Sequence, residues 1–211
     1  ACGAGVLLLP VLRDHLAGSE GQQPELVLRG LVDVIEGSDL DEHAVWLANV
    51  LLAVECLPVL ATVPENRRTP LPALASVADG LADPTRPAGI VVMNPPYGRV
   101  KLEPAERERF KDIVYGHANL YGLFMGHHVN RLSSGGVLAA LVPTSFTSGA
   151  YFTSLRKHLA GAAPMREVAF VSDRSGVFSD VLQETCLATF TRNPGRTLTV
   201  SHINSTKTRM A

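Results

Sequence analysis

The chain has 211 residues, with 19 Lys and Arg against 20 Asp and Glu, a formal net charge of −1, and 46% hydrophobic and 18% charged residues. That length and balance give enough chain to bury a real core, and they exclude a disulfide-stapled miniprotein, a disordered chain and a basic tail. The three cysteines, Cys2, Cys56 and Cys186, are odd in number and far apart, so neither a zinc cluster nor a disulfide framework is indicated and a reducing cytoplasm fits best.

Taken in chain order, Ala1-Cys2-Gly3-Ala4-Gly5 reads as a loop leaving a strand, with no strand ahead of it. The apolar run Val6 to Val11 is too short for a membrane span and has no basic region before it, so it is not a signal peptide. It reads instead as loop into helix, with Pro10 in the first turns, where its missing N–H costs least. Gly18 to Pro24 ends that helix. Glu25 to Leu31 predicts a short helical turn, followed by a β-like run, Val32 to Ile35, that terminates at Gly37-Ser38-Asp39. From Asp41, an N-cap type of residue, Val45, Leu47, Ala48, Leu51, Leu52 and Val54 recur with helical spacing. Residues 58 to 76 hold four prolines and read mostly as a connection. Ile90-Val91-Val92-Met93 is an unbroken apolar strand of the kind buried on both faces of a parallel sheet, and it runs straight into Asn94-Pro95-Pro96-Tyr97-Gly98.

Pro104 to Asp112 is charged and amphipathic, and Leu120 to Leu132 predicts a longer helix closed by Gly135-Gly136. Val137 to Val142 is a second buried strand, Tyr151 to Leu159 a helix, and Glu167 to Ser172, Glu184 to Thr191 and Thr197 to Ser201 are further strands. Strands alternating with helices predict an α/β fold: a parallel or mixed sheet with helices on both faces. No internal repeat, heptad or long low-complexity linker is visible.

The Asn94 loop stands at the carboxyl end of a strand, where such sheets place their ligand chemistry. Two adjacent prolines supply no N–H and hold the residues before them extended, so Asn94 and Pro95 offer a rigid pair of oxygen acceptors. An exocyclic amine is a poor nucleophile because its lone pair is delocalised into the ring; acceptors on both its hydrogens return electron density to nitrogen. Tyr97 adds an aromatic face for a planar base, worth about 1–3 kcal/mol. A turn with a packed aromatic is the competing account. The Gly3 and Gly5 loop lets a ligand approach the backbone at a helix N-terminus. Asp39 is placed to accept ribose hydroxyls unless it is an N-cap, a role that Asp41 can fill. Asp79 is either an acceptor for an adenine amine, with Leu40 against the ring, or a solvated loop aspartate.

In this order, Ala-Cys-Gly-Ala-Gly, Gly37-Ser38-Asp39-Leu40-Asp41, Ala78-Asp79-Gly80-Leu81 and Asn94-Pro95-Pro96-Tyr97-Gly98 resemble the gamma-type N6-adenine DNA methyltransferases of restriction-modification systems. The similarity continues through Asn119-Leu120-Tyr121-Gly122-Leu123-Phe124, Gly135-Gly136-Val137-Leu138, Val142-Pro143-Thr144-Ser145-Phe146, Leu155-Arg156 and Gly176-Val177-Phe178. The resemblance implies a Rossmann-like, mostly parallel fold and S-adenosylmethionine as cofactor. Ala1, Cys2, Gly3 and Gly5 would take its methionine portion, Asp39 its ribose, Leu40 and Asp79 its adenine, with Asn94 also beside it. Asn94, Pro95, Pro96 and Tyr97 would hold an adenine rotated out of double-stranded DNA, with Phe178 as a second stacking face or a core residue. It implies no metal, a bacterial cytoplasmic location, and a restriction endonuclease or specificity domain as further partner. In that family an acidic residue and proline, a first strand and a helix precede the glycine loop and a target-recognition domain follows, so residues 1–211 are expected to be a catalytic-domain fragment.

Arg192, Arg196, Lys207 and Arg209, with Arg99 and Lys101 beside the Tyr97 loop, are candidate DNA contacts or solvated surface charge. His127 and His128 are adjacent on a helix and suit packing and surface roles better than a metal. Ser145 and Ser175 lack the context of a hydrolase nucleophile. A methyltransferase acting on a protein glutamine amide or on RNA, and a non-catalytic DNA-binding or assembly subunit, are the alternatives.

Overall fold

The computed structural model describes residues 1–83, 86–171, 184–193, 195 and 197–203. It divides into two compact units, Ala1–Ala82 and Asp83–Ala211.

The first unit contains α1 (Leu8–Gly18), α2 (Pro24–Val34), β1 (Gly37–Asp39), α3 (Glu42–Thr62) and β2 (Ala75–Val77). β1 and β2 pair in parallel, Gly37 opposite Ala75 and Asp39 opposite Val77. Leu12 of α1, Leu28 and Leu31 of α2, and Leu52 and Cys56 of α3 close over Ile35 and Leu74 as one apolar cluster. Each such side chain contributes about 1.5–3 kcal/mol when fully buried.

Three expectations are corrected here. Val32–Val34 is helical, not a strand: Pro24 at the first helical position fixes φ for α2, and Val27, Leu28 and Leu31 bury one face of it, so the helix runs on until Ile35 turns extended. Gly37–Asp39, expected as the end of a run, is itself the strand. The segment 58–76 is only partly a connection. α3 continues through Pro58 to Thr62 because Val59 and Leu60 pack on the core beyond it, and β2 begins at Ala75.

Asp41 caps α3 as expected, its Oδ1 accepting from the His43 and Ala44 amides. α3 has 21 residues at a hydropathy of 2.0, long and apolar enough by length and composition to cross a membrane. In this unit it packs through Val45, Ala48, Leu52 and Cys56, and its Asn49 reaches the sheet edge: Oδ1 accepts from the Leu74 and Ala75 amides while Nδ2 donates to the Ala75 carbonyl. One side chain thus satisfies three backbone groups of the strand.

The second unit contains β3 (Ala88–Met93), β4 (Arg99–Val100), α4 (Pro104–Arg109), β5 (Ala118–Asn119), α5 (Leu120–Arg131), β6 (Leu132–Pro143), α6 (Ser145–Ser148), α7 (Thr153–Ala162), β7 (Met165–Val171), β8 (Thr185–Thr191) and β9 (Thr199–Ile203). Five strands form one sheet in the order β3-β6-β8-β7-β9. β3–β6 and β7–β9 are parallel, and β8 runs antiparallel between β6 and β7, so the sheet is mixed. β4 and β5 form a separate antiparallel ribbon.

β3 is not buried on both faces: it stands at the sheet edge, and Ile90 and Val92 are 66% and 41% exposed. An unbroken apolar run identifies the strand but not its neighbours. Gly135-Gly136 does not close α5, which ends at Arg131. It lies inside β6, where five residues step past two of β3. Gly135 takes φ +73°, and a Cβ at Gly136 would lie 2.9 Å from the Ser133 carbonyl oxygen, so both positions require glycine.

Candidate active site

In the first unit, residues 1–5 lie along β1. The Cys2 amide donates to the Ser38 carbonyl at 2.8 Å, and the Gly3 amide donates to Asp39 Oδ2 at 2.8 Å. Gly3 and Gly5 adopt φ +53° and +81°, which a side chain disfavours. A Cβ at Gly37 would sit 2.6 Å from Leu8 Cδ1, so this glycine lets the start of α1 close onto β1. α1 has no side-chain cap; the amides of Leu8 and Leu9 donate to the Gly5 carbonyl at 2.9 and 3.0 Å, and Pro10 has no N–H, so the glycine loop itself closes the start of the helix.

Because Asp41 caps α3, Asp39 has no capping duty. Its Oδ1 accepts from the Asp41 amide at 3.1 Å. Partial burial pushes the Asp39 carboxyl up, but the amides of Gly3, Asp41 and Leu40 and the N-terminal charge outweigh it and hold the group below its usual range. Each carboxylate oxygen has accepting capacity left, which suits a pair of hydroxyls. Leu40 is 74% exposed and open to a planar ring. Asp79 accepts from the Leu81 amide at 2.9 Å, a local turn that fits the loop-aspartate account and leaves its second oxygen for a ligand. Burial raises the Cys2 thiol above its usual value, so it has little nucleophilic character.

In the second unit the Asn94 loop follows buried Met93. Asn94 and Pro96 are exposed, Pro95 is buried and Tyr97 is half-buried. The Tyr97 hydroxyl lies 3.2 Å from Asn94 Oδ1 and 3.1 Å from the Leu141 carbonyl oxygen of β6. With one hydrogen it donates to one of them at a time, and a bond to Leu141 leaves both lone pairs of Asn94 Oδ1 for another donor. Among the described residues the Pro95 carbonyl oxygen accepts no hydrogen bond. Among the described residues both oxygens thus keep accepting capacity.

Burial, aided by the nearby Cys186 thiol, pushes the Tyr97 hydroxyl up to about 12, so it stays a donor at neutral pH. Gly98 at φ +143° turns the chain into β4, and its carbonyl accepts from the Leu120 amide at 2.9 Å. Tyr121 packs edge-on against Tyr97, with ring centres 6.3 Å apart, and its hydroxyl shares a hydrogen bond with Ser145 Oγ at 3.0 Å. Burial raises the Tyr121 hydroxyl to about 12 and the Cys186 thiol to about 11.

Phe178, Arg196, Lys207, Arg209 and Ser175 lie outside the described residues. Arg192 is exposed and donates to the Asn130 carbonyl at the end of α5. Arg99 is exposed. The sequence reading did not assign roles to Tyr121, to Asn49, or to Arg156, which donates to the Phe146 and Gly149 carbonyls and fixes the loop between them. Asn119 to Phe124 was visible as a motif, but its contact with Tyr97 depends on the ribbon.

The profile of the Eco57I restriction-modification methylase family matches residues 89–178, which include the Asn94 loop and exclude the glycine loop, Asp39 and Asp79. The chain is 29% identical over 117 residues to the type II methyltransferase M.PstI of Providencia stuartii, an alignment covering 54% of this chain and 23% of that protein. It is 30% identical over 99 residues to the type II methyltransferase M.BsuBI of Bacillus subtilis, covering 46% of this chain and 20% of that protein. The chain thus spans about a fifth to a quarter of these relatives. A structure from Listeria monocytogenes assigned as a class I S-adenosylmethionine-dependent methyltransferase superposes on 97% of this chain and 57% of that one, with a TM-score of 0.69 at 20% identity. The upstream half rests on this likeness of fold. Over residues 89–178 the chain is similar to the Eco57I restriction-modification methylases, and over nearly its whole length its fold is like that of the Listeria structure.

Proposed function

We propose that the complete protein is a DNA adenine-N6 methyltransferase of a restriction-modification system, using S-adenosylmethionine. The observation that carries this reading is the Asn94–Tyr97 loop at the carboxyl end of β3, with Asn94 Oδ1 and the Pro95 carbonyl both available as acceptors. In this reading they take the two hydrogens of the adenine amine and concentrate electron density on its nitrogen, while Tyr97 supports the ring. Pro96 restricts Pro95 to extended conformations, which keeps its carbonyl out of any helical hydrogen bond.

The residues of the first unit fit the cofactor. A glycine loop at φ angles that disfavour side chains accommodates its amino-acid end, and Asp39 suits its ribose hydroxyls. Leu40 and Asp79 take its adenine. When bound, the cofactor supplies a sulfonium-activated methyl group, so the protein chiefly has to position the amine in line with it.

The test is to incubate the full-length protein and S-adenosylmethionine with unmodified bacterial DNA, then analyse the nucleosides by mass spectrometry. N6-methyldeoxyadenosine is the expected product. Methylated cytosine alone, or label only in protein or RNA, overturns the reading.

A further inference from the structure

Beside the Asn94 loop lies a recess of about 300 Å³ to which no role has been given. One wall is the β4–β5 ribbon. Arg99 and Asn119 are direct partners across it, and opposite residues of an antiparallel pair present their side chains on one face, so guanidinium and carboxamide stand together. His117 extends this wall. The opposite wall is the segment carrying Tyr151 and Phe152, and the hydrogen-bonded pair of Tyr121 and Ser145 lines the space between.

The recess is held open by the fold. Arg156 grips the Phe146 and Gly149 carbonyls at 2.9 and 2.8 Å, and a Cβ on Gly149 would lie 2.7 Å from the Ser145 carbonyl oxygen. Gly116, at φ +72°, has space only for hydrogen against the Tyr151 ring. Tyr151 is nevertheless 55% exposed, tilted against His117 with ring centres 6.3 Å apart.

Among the described residues the side chains of Arg99 and Asn119 have no hydrogen-bond or ion-pair partner, and no carboxylate lines the recess. A guanidinium fork, a carboxamide and the exposed ring of Tyr151, with no negative charge among them, match a phosphate joined to a planar base. The edge contact between Tyr121 and Tyr97 sets this recess next to the Asn94 loop.

We propose that the recess is a nucleotide site for the substrate DNA strand. It takes the nucleotide beside the target adenine, with Arg99 on the phosphate, Asn119 on the base or sugar edge and Tyr151 against the base. This rests on the reading of Asn94 as the adenine site and adds positioning and specificity residues to it.

The test uses the full-length protein and a fluorescein-labelled single-stranded DNA 12-mer of mixed sequence, followed by anisotropy across a salt series. Arg99→Ala is expected to weaken binding about tenfold and lower the salt slope by close to one phosphate contact, about 0.7 for a single strand. Arg99→Lys should restore the slope more fully than the affinity, because the charge returns without the fork. Asn119→Ala and Tyr151→Ala should weaken binding with the slope unchanged. A wild-type protein that does not bind the 12-mer, an Arg99→Ala variant with unaltered affinity and slope, or tighter binding of an RNA 12-mer of the same sequence each overturns the proposal. Asn94→Ala separates the two readings: methyl transfer that survives it contradicts the adenine site, whereas the Arg99 comparison is read from binding alone.

Discussion

The amide of Gly3 donates to Oδ2 of Asp39 over 2.8 Å, joining the glycine loop to the end of β1 across 36 residues of sequence. This bond ties the two segments proposed to hold the cofactor, so one substitution loosens both. Asp39→Ala is expected to weaken S-adenosylmethionine binding at least about tenfold, and Asp39→Asn, which keeps an acceptor, to fall between it and wild type; calorimetry on the full-length protein measures this.

The same carboxylate gives an acid-side expectation. Its folded value lies below the ordinary 3.8, so the stability it contributes is present above the unfolded value and is lost as pH falls through the folded one. Urea midpoints of wild type and Asp39→Asn should differ at pH 7 and converge below about pH 4. A gap that widens on acidification contradicts the assignment.

On the alkaline side the sign reverses. Tyr97 and Tyr121 are raised to about 12 and Cys186 to about 11, while the unfolded groups ionise near 10 and 9. The folded state then holds more protons than the unfolded state, so stability falls as pH rises from about 9. Replacing Cys186 by Ala should flatten the first part of that fall in urea unfolding between pH 8 and 10.5.

Tyr97→Phe deletes the hydroxyl near Asn94 Oδ1 and the Leu141 carbonyl and keeps the ring. It is expected to lower kcat about tenfold with little change in DNA affinity, because the loop loses its tie to the Leu141 carbonyl of β6 while base stacking survives. Tyr97→Ala should raise KM for DNA as well, by the loss of about 1–3 kcal/mol of stacking. Steady-state kinetics on both variants separates the two contributions.

Asn49→Ala strips three backbone partners from the β2 edge at Leu74 and Ala75. The expected cost is about 2–3 kcal/mol of stability, read as a lower urea midpoint with an unchanged slope.

Local signals carried much of this molecule into its sequence. The Asp41 cap and the helical spacing of Val45, Ala48 and Leu52 depend on near neighbours, and both appear in the structure. Errors arose where tertiary contacts decide. Val32–Val34 is β-prone but completes a helix whose other turns are buried, and Ile90 and Val92 read as core but face outward on an edge strand. Gly135-Gly136 looked like a helix stop because glycine marks stops and bulges alike. The recess at Arg99 joins residues up to 53 positions apart, from Arg99 to Phe152, through a ribbon of two-residue strands, and no local pattern announces that.

The most direct test of the account is the rate of methyl transfer by Asn94→Ala. With the full-length protein, unmodified DNA and labelled S-adenosylmethionine, formation of N6-methyldeoxyadenosine should drop at least about a hundredfold, while cofactor affinity by calorimetry and the urea midpoint stay close to wild type. Transfer at the wild-type rate by a folded, cofactor-binding Asn94→Ala protein would contradict the account.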